Sequence, residues 1–144
     1  MKLTIAWIGK TKDSAIQELT DKYLKRLAYY VDVEGKALKD ETKLLALGGS
    51  SANPSLIALD RSGKQLSSED LAGFLRKHQE GGSSHLLFAV GAADGFGEQI
   101  LQTAAFKLSL GKMTLSHELA RIVLLEQLYR AFTILKGHPY HIGH

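Results

Sequence analysis

The 144-residue chain contains no cysteine, so neither a disulfide framework nor thiolate ligation of a metal is open to it. That absence suits a reducing cytosol. No apolar run approaches the ~18 residues that a membrane span needs. The opening stretch, MKLTIAWIG from Met1 to Gly9, is an apolar segment of strand length, without the charged flank, longer core and small-residue cleavage site of a signal peptide. A cytoplasmic protein is expected. Charge of one sign is also scarce, since 18 Lys and Arg against 15 Asp and Glu leave a net charge of +3. The excess lies in the first half, from Lys2 to Lys43. It permits an anionic partner without demanding one, a solvated surface of mixed charge being the plain alternative. What the chain does have is 44% hydrophobic residues, enough over this length for one domain, residues 1–144, with a core of its own.

Strand-like apolar runs alternate with helical patterns from end to end. Leu3–Ile8 reads as a buried strand, and Asp13 as the N-cap of a helix whose Ile16, Leu19, Tyr23 and Leu27 recur at helical spacing. Val31–Val33 reads as a short half-exposed strand, and Asp40–Leu47 as a helix stopped by Gly48-Gly49-Ser50-Ser51 and Pro54. A strand over Ser55–Asp60 then enters a loop, Arg61-Ser62-Gly63-Lys64. Ser67 and Asp70 form a capping box for a helix reaching Glu80, closed by Gly81-Gly82-Ser83-Ser84. His85–Val90 is the most convincing central strand, followed by the loop Gly91–Gly97 and a helix over Glu98–Ala105. Phe106–Leu110 is the final strand. The alternation predicts an α/β domain with a mostly parallel sheet and helices on both faces. In such sheets ligands bind beyond the carboxyl ends of the strands, which singles out the loops after Asp60, Val90 and Leu110.

The last third is the most telling. The helix over Ser116–Leu135 carries Leu119, Ile122, Val123, Leu124, Leu125, Leu128, Ala131, Phe132, Ile134 and Leu135, too many apolar positions for one stripe. Two burial partners are expected: the sheet, and a second copy of the chain in a homodimer. Against that background His117, Arg121, Glu126, Tyr129 and Arg130 stand out. Glu126 and Arg130 have the spacing of a helical ion pair, although Arg130 could also offer part of its guanidinium to a phosphate.

The glycine loop GAADGFG has neither the GxGxxG spacing of a dinucleotide site nor the Lys-Ser/Thr ending of a P-loop. Its glycines either let backbone approach a ligand or simply turn the chain. Thr114 or Ser116 can cap the last helix. The tail His138-Pro139-Tyr140-His141-Ile142-Gly143-His144 invites a metal reading. It is read instead as an extended tail laid across a surface, because no Cys, Asp or Glu lies near it in sequence to complete a site. His78 and His85 are read as a helix-face and a strand-start residue.

LDRSGK at Leu59–Lys64, FAVGAADGFG at Phe88–Gly97, LSLGKMTLSHELARIVLLEQLYRAF at Leu108–Phe132 and HPYH at His138–His141 together resemble the large-subunit ribosomal RNA methyltransferase H family of the SPOUT, or α/β-knot, superfamily. The likeness covers essentially the whole chain. It implies a deep trefoil knot in the C-terminal half, against the general rarity of knots. It further implies S-adenosylmethionine as cofactor and methylation of N3 of pseudouridine 1915 in 23S rRNA of the assembled ribosome by a homodimer, with no membrane or DNA partner. By the same resemblance Leu59, Gly91, Ala92, Leu110, Gly111, Lys112, Met113, Thr114 and Leu115 match the cofactor positions. Arg130, Tyr140 and His141 match the target-nucleotide site, reached partly across the dimer.

Three departures stand beside the likeness. Ala92 replaces the family's usual glycine, the segment between Lys36 and Asn53 is shorter, and the ending Ile142-Gly143-His144 lacks the basic residue that usually follows the second His. For the chemistry, His141 is the favoured proton handler with Arg130 steadying phosphate or base, and solvent is an equally compatible acceptor. Two rival readings remain at this stage: another α/β enzyme with a nucleotide cofactor at the same three loops, and a non-enzymatic dimer that binds RNA or the ribosome.

Overall fold

The computed structural model describes residues 1–48, 54–82 and 85–142. Five strands, β1 (Lys2–Ile8), β2 (Asp32–Leu38), β3 (Ser55–Gln65), β4 (His85–Val90) and β5 (Phe106–Ser109), form one parallel sheet in the order β2-β1-β4-β3-β5. The helices are α1 (Ser14–Ala28), α2 (Glu41–Gly48), α3 (Ser68–Glu80), α4 (Glu98–Thr103) and α5 (His117–Lys136). Among the described residues no helix is long and apolar enough to cross a membrane.

Strand alternation divides the core into two layers. From β4, Leu86, Phe88 and Val90 enter a large cluster with Leu27, Leu75, Leu125 and Phe132, on the face covered by α1, α3 and α5. Leu87 and Ala89 point the other way, joining Leu44 and Ile100 from α2 and α4. Each of these large side chains, almost wholly removed from water, stabilises the fold by roughly 1.5–3 kcal/mol. Capping follows the sequence signals: Asp13 accepts from the Ala15 amide at 2.9 Å, Ser67 and Asp70 complete their capping box, and Ser116, not Thr114, caps α5. His85 opens β4 with its Nε2 2.8 Å from the Thr4 hydroxyl, and His78 packs on the Phe74 ring.

Four elements differ from the expectation. β2 is seven residues long rather than Val31–Val33, because a sheet-edge strand paired only with β1 can leave Asp32, Gly35 and Ala37 partly or fully to water and so shows little apolar signal. α4 stops at Thr103, where the Ala105 amide leaves the helix to bond the Leu56 carbonyl at 2.8 Å. The third difference is that Arg61–Lys64 is no free loop. Both Leu59 and Lys64 of β3 take Leu108 as partner, so the residues between them form a bulge lying against β5. At its tip a Cβ on Gly63 would stand 2.5 Å from the Lys107 carbonyl oxygen, a contact with backbone that cannot move aside. Fourth, α5 is enclosed in one protomer by α1 and α3 as well as the sheet. The apolar residues left to water lie around its N-terminus, with Met113 84% exposed, Leu115 38% and Leu119 50%. The expected turn at Gly49–Ser51, and residues Ser83, Ser84, Gly143 and His144, lie outside the described residues.

Two glycines give opposite expectations. Gly63→Ala should cost about 2–3 kcal/mol through backbone overpacking. Gly73→Ala, mid-helix in α3 with nothing within 4 Å of the added methyl, should stabilise by about 1 kcal/mol. Urea unfolding of both variants checks the pair.

Candidate active site

The carboxyl ends of β3, β4 and β5 open into a cavity of about 340 Å³. This lies within the ordinary range for a small-molecule site. Its walls come from Leu59 and Asp60 within β3, at the start of the bulge, and from two loops, the Gly91–Phe96 stretch after β4 and Leu110, Gly111, Met113, Thr114 and Leu115 after β5. His117 and Ala120 close it from the first turn of α5. Of the residues matched to cofactor positions, Leu59, Gly91, Ala92, Leu110, Gly111, Met113, Thr114 and Leu115 line this cavity. Lys112, between Gly111 and Met113, is exposed and is not among the lining residues.

The glycine loop owes its form to its own packing. The Gly95 amide bonds the Ala92 carbonyl at 2.9 Å, folding Ala92–Gly95 into a tight turn. A Cβ on Gly91 would meet the Gly95 backbone at 3.0 Å, so Gly91 lets the two arms of the loop touch. Across the loop, both carboxylate oxygens of Glu41 accept from the Gly97 amide at 3.2 Å, tying α2 to the rim. Sequence reasoning did not single out Asp60, Asp94 or Phe96 as lining residues, since nothing in their spacing marks them.

A second polar cluster gathers Arg130, Tyr140 and His141. Its origin is Gly137, which ends α5 in the left-handed conformation (φ 70°), with the Gly137 amide bonded to the Ile134 carbonyl and the His138 amide to that of Thr133. This double cap reverses the chain. The tail is thus a turn folded back on α5, closed by the Ile142 amide on the Pro139 carbonyl, rather than an extended arm. Arg130 donates to Glu126 Oε2 from Nε at 3.2 Å and from a terminal nitrogen at 3.0 Å; the expected ion pair is present and only 13–21% exposed. The Tyr140 hydroxyl donates to the same oxygen at 2.9 Å, and the guanidinium lies 4.9 Å from the Tyr140 ring centre.

His141 is held at both ring nitrogens. Arg130 can only donate, so His141 Nδ1, at 2.9 Å from it, must accept. The ring proton then sits on Nε2 and is donated to Glu69 Oε1 at 2.6 Å. That hydrogen bond is the main influence holding the Glu69 carboxyl below its ordinary value. Glu69 is a residue that sequence reasoning missed, because it sits 72 positions away at the start of α3. Burial, then the hydrogen bond and charge of Glu126, push the Tyr140 hydroxyl up to about 12. At neutral pH Tyr140 is therefore a donor and no base.

The cavity and this cluster do not meet within one chain. The cavity touches α5 at His117 and Ala120. Arg130, ten residues beyond Ala120, lies about 15 Å further along the axis.

The raised Tyr140 value has a measurable sign. Because the folded state favours the protonated phenol, its contribution is fully present below pH 10 and is lost as pH climbs toward 12. In a tyrosinate absorbance titration, the signal removed by Tyr140→Phe should ionise near pH 12. Glu126→Gln should move it downward toward the ordinary value.

The family model described as "Predicted SPOUT methyltransferase" matches residues 1–141. A protein named ribosomal RNA large subunit methyltransferase H from Koribacter versatilis (strain Ellin345) is 56% identical, with all of both chains covered. The protein of that name from Geotalea uraniireducens (strain Rf4) is 38% identical over 98% of this chain and 99% of its own. Among solved structures, a methylase family protein from Haemophilus influenzae Rd KW20 shares the fold with a TM-score of 0.61 at 9% identity, over 96% of this chain and 70% of that one. The SpoU methyltransferase AviRb from Streptomyces viridochromogenes, solved with the cofactor AdoMet, gives 0.56 at 10% identity, over 94% of this chain and 58% of that one. With the family model spanning nearly all of it and full-length relatives at such identity, the chain belongs to the SPOUT methyltransferase family, among the ribosomal RNA large subunit methyltransferases H.

Proposed function

We propose that this enzyme transfers the methyl group of S-adenosylmethionine to N3 of pseudouridine 1915 in 23S rRNA of the assembled ribosome, as a cytoplasmic homodimer built from one knotted domain spanning residues 1–144. The observation that carries the proposal is the cavity at the carboxyl edge of the sheet, in a chain 56% identical to a relative of that name. Membership of a methyltransferase family sets aside the non-enzymatic reading.

The residues present suit the cofactor. Leu59, Val90, Leu110 and Leu115 offer apolar walls for an adenine, and the Gly91 and Gly111 backbones offer hydrogen bonds without side-chain bulk. When bound, the cofactor supplies a sulfonium methyl that is already electrophilic, so the chain needs no nucleophile of its own. Its residues must orient the acceptor nitrogen in line with that methyl, which can contribute several kcal/mol, and assist removal of its proton, a further factor of ~10²–10⁴. Arg130 has donors left over from Glu126 and His141 for a phosphate or a base oxygen, and the Tyr140 ring offers a face to a base exposed in an RNA loop.

Two copies complete the site. Exposed Met113 and Leu115 line the cavity at one end of α5, Leu119 is exposed on the first turn there, and the Arg130 cluster stands about 15 Å away at the other end. Antiparallel packing of α5 on the partner's α5 covers that apolar rim and brings the partner subunit's Arg130 cluster to this cavity.

Incubation with methyl-labelled cofactor and unmodified ribosomes should place label on the proposed nucleotide; label elsewhere, or none, would overturn the assignment. Gly91→Val, by prising the glycine loop open, should weaken cofactor binding in calorimetry at least tenfold, and unchanged affinity would move the site. Light scattering should give about twice the 15.8 kDa chain mass. Leu119→Glu should yield monomers without transferase activity. Deleting Tyr140–His144 should abolish methyl transfer while leaving cofactor binding nearly intact.

A further inference from the structure

Beyond the two clusters already described, the C-terminal end of α1 carries an aromatic surface that starts at the margin of the core, where Tyr23, Tyr30 and Tyr129 pack, and reaches water at Tyr29. Tyr29 is 80% exposed, and its ring meets Tyr30 edge-on at 5.2 Å. Tyr30 in turn is fixed from below, stacked on Phe132 at 6.2 Å and hydrogen-bonded through its hydroxyl to His138 Nδ1 at 2.6 Å. Tyr30 also leans on Tyr129 at 6.1 Å, and Tyr129 meets Tyr140 at 4.8 Å. The rings thus run without a break from Tyr140, at the proposed target-base site, out to Tyr29 at the edge of the molecule.

Positive charge accompanies the rings. Arg26 lies between Tyr23 and Tyr129, 5.5 and 5.6 Å from their ring centres, and Lys22 flanks Tyr23. Lys25 is exposed beside them, and no acidic residue occurs from position 22 to 31. Aromatic faces combined with cations that track a backbone are the recurring means of holding single-stranded nucleic acid, because every base has a face to stack and every nucleotide a phosphate. An apolar protein partner would gain nothing from the lysines, and a helical duplex could not present unstacked bases to Tyr29.

We propose that the belt from Tyr129 to Tyr29, with Lys22, Lys25 and Arg26, is a second RNA subsite that holds the unpaired nucleotides flanking the target base, Tyr29 stacking on one of them. The inference rests on the ribosomal RNA methyltransferase reading and extends it to residues outside the target-base cluster. Such a subsite would add Lys22, Lys25 and Arg26, three of the chain's 18 basic residues, to the grip of an enzyme with a net charge of only +3 on one RNA loop.

The test measures methyl-transfer kinetics on unmodified ribosomes for the wild type, Tyr29→Ala, Tyr29→Phe and Lys25→Ala, with cofactor calorimetry and light scattering on each. Tyr29→Ala should raise KM for the ribosome about tenfold while kcat changes little, and Tyr29→Phe, which keeps the ring, should restore it. Lys25→Ala should raise KM and reduce the slope of log affinity against log salt by about 1. Cofactor affinity and dimer mass should be those of the wild type. An unchanged KM for Tyr29→Ala, or a raised KM that Tyr29→Phe does not restore, overturns the subsite. Dissociation of Tyr29→Ala into monomers overturns it too, since the belt would then be a contact between copies. If the wild type itself transfers no methyl to ribosomes, the functional reading fails; an active wild type with unaffected variants sinks the subsite alone.

Discussion

The arrangement depends on a buried charge that has no counter-charge. Arg121, on the second turn of α5, is 1% exposed, and among the described residues no carboxylate lies within ion-pair distance of it. Burial pulls its guanidinium below the ordinary value, opposed only by the more distant charge of Glu118. In place of an ion pair it has the Trp7 ring, 4.1 Å from its central carbon, and the hydroxyls of Thr11 and Thr20 at 2.8 and 3.2 Å. A desolvated cation over an indole face is worth about 2 kcal/mol. That offsets only part of the several kcal/mol that desolvating the ion costs. Its Nε and the Trp7 indole nitrogen, both buried, have no hydrogen-bond partner among the described residues. So costly a residue joins β1, the β1–α1 connection and α1 to the start of α5, one turn beyond the cavity. Glu118 repeats the link outside, accepting from the Lys12 amide at 3.1 Å. With α5 pinned there, the Leu110–Leu115 turn that precedes it is held at the cavity wall.

From that anchor α5 works as a spacer with different chemistry at each end. At its N-terminal end Met113, Leu115 and Leu119 are exposed beside the cavity, and its third and fourth turns carry Glu126 and Arg130 under the returning tail. Glu126 is the hub of the far end: one of its oxygens takes two donors from Arg130 and one from Tyr140. Gln127 Nε2 donates to the other oxygen at 3.0 Å, so this half-buried carboxylate has four donors and keeps Tyr140 protonated. The α3 capping box places Glu69 next to Ser67, where its carboxylate selects the His141 tautomer. Elements far apart in sequence thus converge on a tail of only a few residues.

Much of the fold was legible because its causes are local. Asp13, Ser67 with Asp70, and Ser116 announce helix starts by the hydrogen bonds their side chains can make, and HLLFAV reads as a buried strand because both faces must be apolar. That a cavity would open beside Asp60, Val90 and Leu110 was legible from sheet topology alone. What was hidden depends on distant partners. β2 lacks an apolar pattern because it is an edge. The Arg61–Lys64 bulge is dictated by β5, more than forty positions on, and Gly63 looks like any turn glycine until the Lys107 backbone is set against it. The enclosure of α5 by α1 and α3 could not be read from its composition, which says how much surface must be covered and nothing of what covers it. The return of the tail hangs on Gly137, whose left-handed cap turns an apparently extended segment into a contact.

The hydrogen bonds of the far cluster also bear on proton removal from the acceptor nitrogen. Tyr140 stays protonated up to about 12, and Arg130 is a cation, so neither is a base at neutral pH. His141 has a lone pair on Nδ1, but Arg130 occupies it, and its other nitrogen carries the proton given to Glu69. His141 can therefore accept a proton only when Arg130 turns away, which is what an arriving phosphate or base oxygen would make it do. If Arg130 turned toward the RNA, the Nδ1 lone pair of His141 would be released. Before the RNA arrives His141 has no free lone pair. A water molecule admitted beside the acceptor nitrogen could take the proton without any of these changes, and the Arg130–His141 contact would then serve only to orient the tail.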